Sequence, residues 1–216
     1  MKFKGAIFDL DGTLLDSMAI WDTVGEDYLY SLGIKPREDL KETFRKMTLY
    51  QAACYYKSEY GVSGTVEEIM AGVNQMIRCF YENQVLPKQG AVSFLHRLHA
   101  AGIKICVATA TEEDLVKAAL GRNGMLDYFS AVFTCTNVGH GKDEPDIFEA
   151  ARRFLGTEKS ETLVLEDALY AARTAKEAGF PVCAIYDPSE PGGDELMRTA
   201  DYYARNFAQA ERILFP

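Results

Sequence analysis

The chain of 216 residues contains no run of about 18 apolar residues, so no segment of it is expected to span a bilayer. Cysteine is sparse and unpatterned. Cys54, Cys79, Cys106, Cys135 and Cys183 are odd in number and form neither a CxxC pair nor a Cys/His spacing suited to zinc. Cys106, Cys135 and Cys183 lie in apolar runs, where buried reduced thiols are the expected state, in keeping with a cytoplasmic location. Positive charge is in deficit: 23 Lys and Arg face 32 Asp and Glu, for a net charge of −9. Such a chain repels a phosphate-rich polymer, so nucleic acid is not an expected partner, whereas a small phosphorylated molecule is admissible because local charge can oppose net charge. Repeats and low-complexity stretches are lacking, and nothing in the pattern points to a protein partner. Asp9 and Asp11 cut short the apolar start, so the opening residues are not expected to be a signal peptide.

What is present is an alternation. Short apolar runs at 5–8, 103–108, 131–133, 162–165 and 182–185 are separated by helical patterns at 91–101, 112–120, 147–155 and 168–178. Gly102, Gly121, Gly156 and Gly179 stand where helix stops are expected. Alternating β and α predicts a Rossmann-like, doubly wound parallel α/β sheet covered on both faces, with ligands bound beyond the carboxyl ends of its strands. One connection breaks the rhythm. Residues 16–87 read as helical, with periodic apolar positions at 18–32 and 49–60 and a capping-box string, Thr65-Val66-Glu67-Glu68, opening a third run. The expected organisation is therefore a core of 1–15 and 88–216 with an all-helical insert at 16–87, a lid hinged near Asp16–Ser17 and near residues 86–89. Trp21, Tyr55 and Tyr56 are expected in the core of that insert.

Chemistry-bearing residues fall where the apolar runs end. Asp9 and Asp11 leave the first run two residues apart, on the same side if strand alternation continues, and Gly12 then allows a sharp turn. Two like charges ~4 Å apart repel by ~4 kcal/mol at an effective dielectric of ~20. Such a pair calls for a metal ion, a shared proton or chemistry that uses both acids, unless it is a solvated Asp-Gly turn. Thr109 ends the second run directly before a helical pattern, as an anion-binding helix start or an ordinary N-cap. Lys142 sits in Gly139-His140-Gly141-Lys142-Asp143, which lacks the P-loop spacing, and His140 is a weak candidate for any role. Glu166 and Asp167 end the fourth run. They are hard oxygen donors of the kind Mg²⁺ takes, or acids favoured at a helix start.

Taken in order, these strings resemble the four motifs of the haloacid dehalogenase superfamily. Asp9-Leu10-Asp11-Gly12-Thr13-Leu14-Leu15-Asp16-Ser17 is similar to its DxDGT-L-x-DS motif, and Thr109 to its Ser/Thr motif. Gly141-Lys142 with Pro145-Asp146 and Phe148 is similar to GK-x-x-PD-x-F, and Glu166-Asp167 to ED-S-x-x-G. The resemblance implies that Asp9 is a nucleophile and Asp11 a general acid/base. It implies that Thr109, Ala110 and Lys142 contact the phosphoryl group, and that Asp9, Asp11 (through its backbone carbonyl), Glu166 and Asp167 hold Mg²⁺. Departures are Asp143 and Glu144, where Pro commonly follows the Lys, and Ala168 and Ala171 in place of Ser and Gly. The long insert resembles the family's helical cap of the first type, and Asp16-Ser17-Met18 with Trp21 resembles the phosphoglycolate phosphatase, sugar-phosphate phosphatase and β-phosphoglucomutase branch. Arg45 and Lys46 fall near the substrate-facing cap loop of that branch. The implied activity is a Mg²⁺-dependent phosphomonoester hydrolase acting on a small phosphorylated metabolite, such as a sugar phosphate, through an aspartyl phosphate. A phosphosugar mutase and a non-catalytic binding protein on the same fold are the alternatives. The DGTLLDS string is closer to the phosphatases, and intact acids at the motif positions speak against a non-catalytic protein.

Overall fold

Gly5-Ala6-Ile7-Phe8 is buried at every position and forms β1 (Gly5–Phe8), a strand apolar on both faces, as the centre of a parallel sheet requires. A computed structural model describes residues 2–44 and 47–215. β1 is flanked by β2 (Lys104–Thr109) and β4 (Thr162–Glu166), and the sheet is completed by β3 (Ala131–Thr134), β5 (Val182–Ile185) and β6 (Tyr202–Ala204). The order is β3-β2-β1-β4-β5-β6 with every pair parallel, the doubly wound arrangement of Rossmann-like folds. β6 lies in a stretch for which the sequence pattern predicts no element. It is a three-residue edge strand with only Ala204 buried, so it has no two-faced apolar run to betray it.

The helices of the sheet unit are α5 (Ala91–Ala100), α6 (Glu113–Arg122), α7 (Cys135–Val138), α8 (Asp146–Leu155), α9 (Leu169–Glu177), α10 (Gly193–Thr199) and α11 (Phe207–Leu214). Ala171, Ala172 and Ala175 are fully buried against β4 and β5 together with Val164, Phe148 and Phe180. Ala171, one of the departures from the family pattern, is thus a packing residue. Gly121 is not a helix stop. It lies inside α6, and the chain turns at Gly124, whose φ of 65° an L side chain rarely adopts.

Residues 17–84 form one compact unit, and the remainder of the chain forms the other. The first is all helical: α1 (Met18–Ser31), α2 (Leu40–Phe44), α3 (Leu49–Tyr60) and α4 (Val66–Asn83). The Thr65 box forms as its spacing predicts, Thr65 Oγ1 accepting from Glu68 N–H and Glu68 accepting from Thr65 N–H, and a second box joins Thr48 and Gln51. Tyr56 is buried, packs its ring at a tilt against Tyr28 and edge-to-face against Phe44, and donates its hydroxyl to the Gly25 carbonyl at 2.7 Å. Gly25 is required there, because a Cβ would lie 2.7 Å from the Phe44 ring. Tyr55 is half-buried, whereas Trp21 is 48% exposed and is not a core residue. Trp21 occupies a position on α1 whose buried stripe is Val24, Tyr28 and Leu29. Among the described residues no helix is long and apolar enough to cross a membrane.

Within the sheet unit, the strand that leaves β1 is fastened to the strand that returns to it. Asp16 N–H donates to Leu86 O, Lys88 N–H donates to Leu14 O, and Leu15 bridges Pro87. Lys88 Nζ then ties this crossing to the end of β5 through Asp187 and the Tyr186 carbonyl. Burial alone would raise the Asp187 carboxyl, but the Lys88 ammonium and the Ser189 donors outweigh it and hold it below the ordinary carboxylate range. Because the folded value is depressed, the pair stabilises the fold above the unfolded pKa and loses that contribution as pH falls through the folded one. Lys88→Met should therefore cost toward the lower end of the ~3–5 kcal/mol typical of breaking a buried pair, since Lys88 keeps some solvent contact. Urea unfolding checks this: the deficit should be full at neutral pH and shrink in acid, and an equal deficit at every pH would contradict the pairing.

Candidate active site

The strand order reverses between β1 and β4, and the chain's acids are found at that point. Phe8 pairs with Val107 on one side and Leu165 on the other. Asp9 continues the ladder by one bond, its N–H donating to Leu165 O at 2.9 Å, so its side chain emerges level with Glu166. One carboxylate oxygen from each of Asp9, Glu166 and Asp167 lies within 4.8 Å of the other two, and all three residues are buried. Lys142, on the segment between α7 and α8, fills the space between two of them. Its Nζ donates to Asp9 Oδ1 and, at 2.6 Å, to Glu166 Oε1. Only 4% of Lys142 is exposed, so it is a buried cation and not a solvated surface charge. The acids that follow it behave differently. Asp143 and Glu144 are exposed, and Glu144 pairs with His140 at 2.9 Å, so neither enters the cluster.

The two acids at the end of β4 are held in different ways. Glu166 has both oxygens engaged: Oε1 by Lys142 and Oε2 by the backbone N–H groups of Asp167 and Ala168, each at 3.1 Å. Asp167 accepts at Oδ1 from the buried Thr13 hydroxyl at 2.9 Å. Thr13 escapes a reading based on charged residues alone, although it stands inside the Asp-Gly-Thr string. Glu166 is therefore chiefly the partner of Lys142, and Asp9 and Asp167 are the acids with oxygen left for a ligand.

The titration of the cluster follows from its charge. Burial would lower the Lys142 ammonium, yet Asp9 and Glu166 overcome this and hold it above its ordinary value. Burial raises Glu166, and the Asp9 charge adds to the rise, so despite Lys142 the carboxyl is pushed up to about 7. Asp167 is raised well above the usual carboxylate range by burial and by Asp9 and Glu166. Three acids and one lysine leave a formal excess of two negative charges among buried groups. Hard oxygen donors carrying that excess fit a divalent cation such as Mg²⁺.

Asp11 does not join this cluster. Its Oδ2 accepts the Thr111 hydroxyl at 2.5 Å, so strand alternation fails just past β1, where the chain turns through Gly12 at φ 80°. Its side chain is thus absent from the set of metal-donor carboxylates. Thr109 is the last residue of β2 and is buried, but no helix follows it directly. Ala110, Thr111 and Glu112 intervene before α6, and the Thr109 hydroxyl accepts from Thr111 N–H at 3.0 Å rather than capping the helix. Ala110 is exposed in this turn. Arg45 and Lys46 lie outside the described residues.

The acids and the buried lysine thus occupy the switch point of a doubly wound parallel sheet, the place where such folds bind ligands. The family model of haloacid dehalogenase-like hydrolases matches residues 6–185, and the chain belongs to that family. It is 27% identical to hexitol phosphatase A of Escherichia coli over 88% of this chain and 86% of that one. It is 31% identical to (DL)-glycerol-3-phosphatase 2 of Arabidopsis thaliana over 84% of this chain and 79% of that one. Among solved structures, a haloacid dehalogenase family hydrolase from Deinococcus radiodurans shares the fold with a TM-score of 0.77 at 22% identity, over 99% of this chain and 95% of that one.

A cluster with two uncompensated negative charges should be stabilised by the cation it fits. At a hundredfold excess over its Kd, Mg²⁺ adds roughly 2.7 kcal/mol, which for a chain of this size is a Tm rise of roughly 5–10 °C. Thermal unfolding with Mg²⁺ and with a chelator measures it. Asp167→Asn should lose most of the rise, and an unchanged rise in that variant would remove Asp167 from the site.

Proposed function

We propose that the protein is a phosphomonoester hydrolase acting on a small phosphorylated metabolite, with Asp9 as nucleophile. The observation that carries this reading is the buried Asp9–Lys142–Glu166–Asp167 cluster at the strand-order reversal. Family membership and the phosphatase names of the two sequence relatives support it.

The residues divide the work as follows. Asp9 attacks phosphorus through one carboxylate oxygen, forming an aspartyl phosphate while the bond to the leaving oxygen breaks. This splits a hard displacement into two easier ones. Asp11 gives its proton to the departing alkoxide and then takes one from the water that attacks the aspartyl phosphate, which restores Asp9 and releases inorganic phosphate. Lys142 supplies a charge-assisted hydrogen bond to the phosphoryl oxygens and keeps Asp9 oriented, and in this reading the Thr109 hydroxyl adds a donor. Glu166 holds Lys142 in place. Asp9 and Asp167, with the main chain of Asp11, would hold Mg²⁺, which supplies Lewis-acid stabilisation of charge on the phosphoryl oxygens when bound. The helical unit 17–84, inserted between β1 and β2, takes the role of the cap that selects the substrate. Hexitol phosphatase A and (DL)-glycerol-3-phosphatase 2 favour a polyol or sugar phosphate as the substrate class.

Asp9→Asn is expected to lower phosphate release by more than about a hundredfold, with circular dichroism unchanged. Substantial turnover in that variant, with deamidation excluded, would contradict the assignment. Lys142→Ala removes a bond worth roughly 1.5–3 kcal/mol and should lower kcat/KM by roughly ten- to a hundredfold. Asp143→Ala, by contrast, removes an exposed charge and should change kcat/KM by no more than about twofold. Inorganic phosphate released in step with substrate consumed separates this hydrolase from a mutase.

A further inference from the structure

We propose that Thr111 is the positioning residue of the proton-transfer group, holding the Asp11 carboxyl in its working orientation. The inference rests on the phosphatase reading and deepens it. Asp11 lies beyond the last residue of β1, where its backbone is bridged to Leu15, and what remains to be fixed is the side chain. The Asp11 carboxylate accepts the Thr111 hydroxyl at Oδ2, at 2.5 Å.

Thr111 is itself built in. Its N–H donates to the Thr109 hydroxyl at 3.0 Å, and Thr109 is buried and pairs with Thr134 of β3. The rigid end of β2 therefore sets the turn 110–112, the turn sets Thr111, and Thr111 sets Asp11. This arrangement explains why α6 begins only at Glu113. A helix starting at Thr109 would spend its hydroxyl on a cap and lose the turn that delivers Thr111.

A hydroxyl suits this duty. It has one rotatable donor and two acceptor lone pairs. When Asp11 is ionised, Thr111 donates to it. When Asp11 carries the proton, the hydroxyl can rotate and accept from the other partner in the pair, so one contact orients the carboxyl both before and after it gives up its proton. Thr111 gains and loses no proton in the cycle. Asp11 supplies the proton of the leaving alkoxide and recovers one from water.

The test is kcat/KM across phosphomonoesters graded by leaving-group basicity, from p-nitrophenyl phosphate to simple alkyl phosphates, for wild type, Thr111→Val and Thr111→Ser. Because kcat/KM reports steps up to loss of the leaving group, it isolates the first proton transfer. General acid catalysis contributes about 10²–10⁴-fold where the leaving group is poor. Thr111→Val should lose roughly ten- to a hundredfold of kcat/KM with alkyl phosphates, part of that contribution. It should lose little with p-nitrophenyl phosphate, whose phenolate departs without a proton. Thr111→Ser should restore the alkyl rates. A uniform fall across the series, or none, with wild type active, overturns the positioning role while leaving the phosphatase reading intact. A wild type inactive toward every ester overturns the phosphatase reading itself, and the inference with it.

Discussion

Three buried carboxylates stand around one buried lysine that bonds two of them, and the site depends on that imbalance. Asp9, Glu166 and Asp167 are between 1% and 8% exposed, and Lys142 is no more accessible. Burying charge is costly unless each ion is paired and hydrogen-bonded. The fold meets part of that cost with Lys142, with two backbone N–H groups on Glu166 and with the Thr13 hydroxyl on Asp167. What is left is an excess of negative charge that a divalent cation complements. The same excess keeps Lys142 charged, and a charged lysine is what a phosphoryl group requires.

This constraint assigns separate tasks to acids that look alike in sequence. Asp9 and Asp11 are two residues apart, yet one is held by an ammonium in the cluster and the other by a neutral hydroxyl outside it. The proposed nucleophile is thus oriented by a cation. The proposed proton donor is oriented by a hydroxyl instead. Glu166 and Asp167 are adjacent, yet the first saturates its oxygens with fixed donors and the second keeps oxygen for a ligand.

The alternation of apolar runs and helical patterns made the parallel sheet legible, because its inner strands are apolar on both faces. The acids were legible because carboxylates that end apolar strands are rare without a task, and Lys142, on the segment between α7 and α8, was legible only through its motif. Position was harder to read. Thr109 looked like a helix start because a hydroxyl followed by Glu112 and Glu113 is a common N-terminal pattern, but the hydroxyl closes a turn instead. Gly121 looked like a stop, yet α6 runs through it to Arg122, and Gly124 is where positive φ is needed. Trp21 looked like core because tryptophan is large and apolar, but it lies off the buried stripe of α1. Thr13 and Thr111 act through one hydrogen bond each. No pattern of charge or hydropathy marks a hydroxyl whose importance lies in its partner.

The central claim is that Asp9, oriented by Lys142, forms a covalent bond to phosphorus. The most direct measurement is rapid acid quenching of the Mg²⁺-loaded protein during turnover of a phosphomonoester, followed by peptide mapping of the phosphoryl adduct. The account predicts an acid-stable, alkali-labile adduct on the peptide containing Asp9, absent in Asp9→Asn. An adduct on another residue, or steady hydrolysis through rapid mixing with none detected and with the breakdown step shown to be slow, would contradict it.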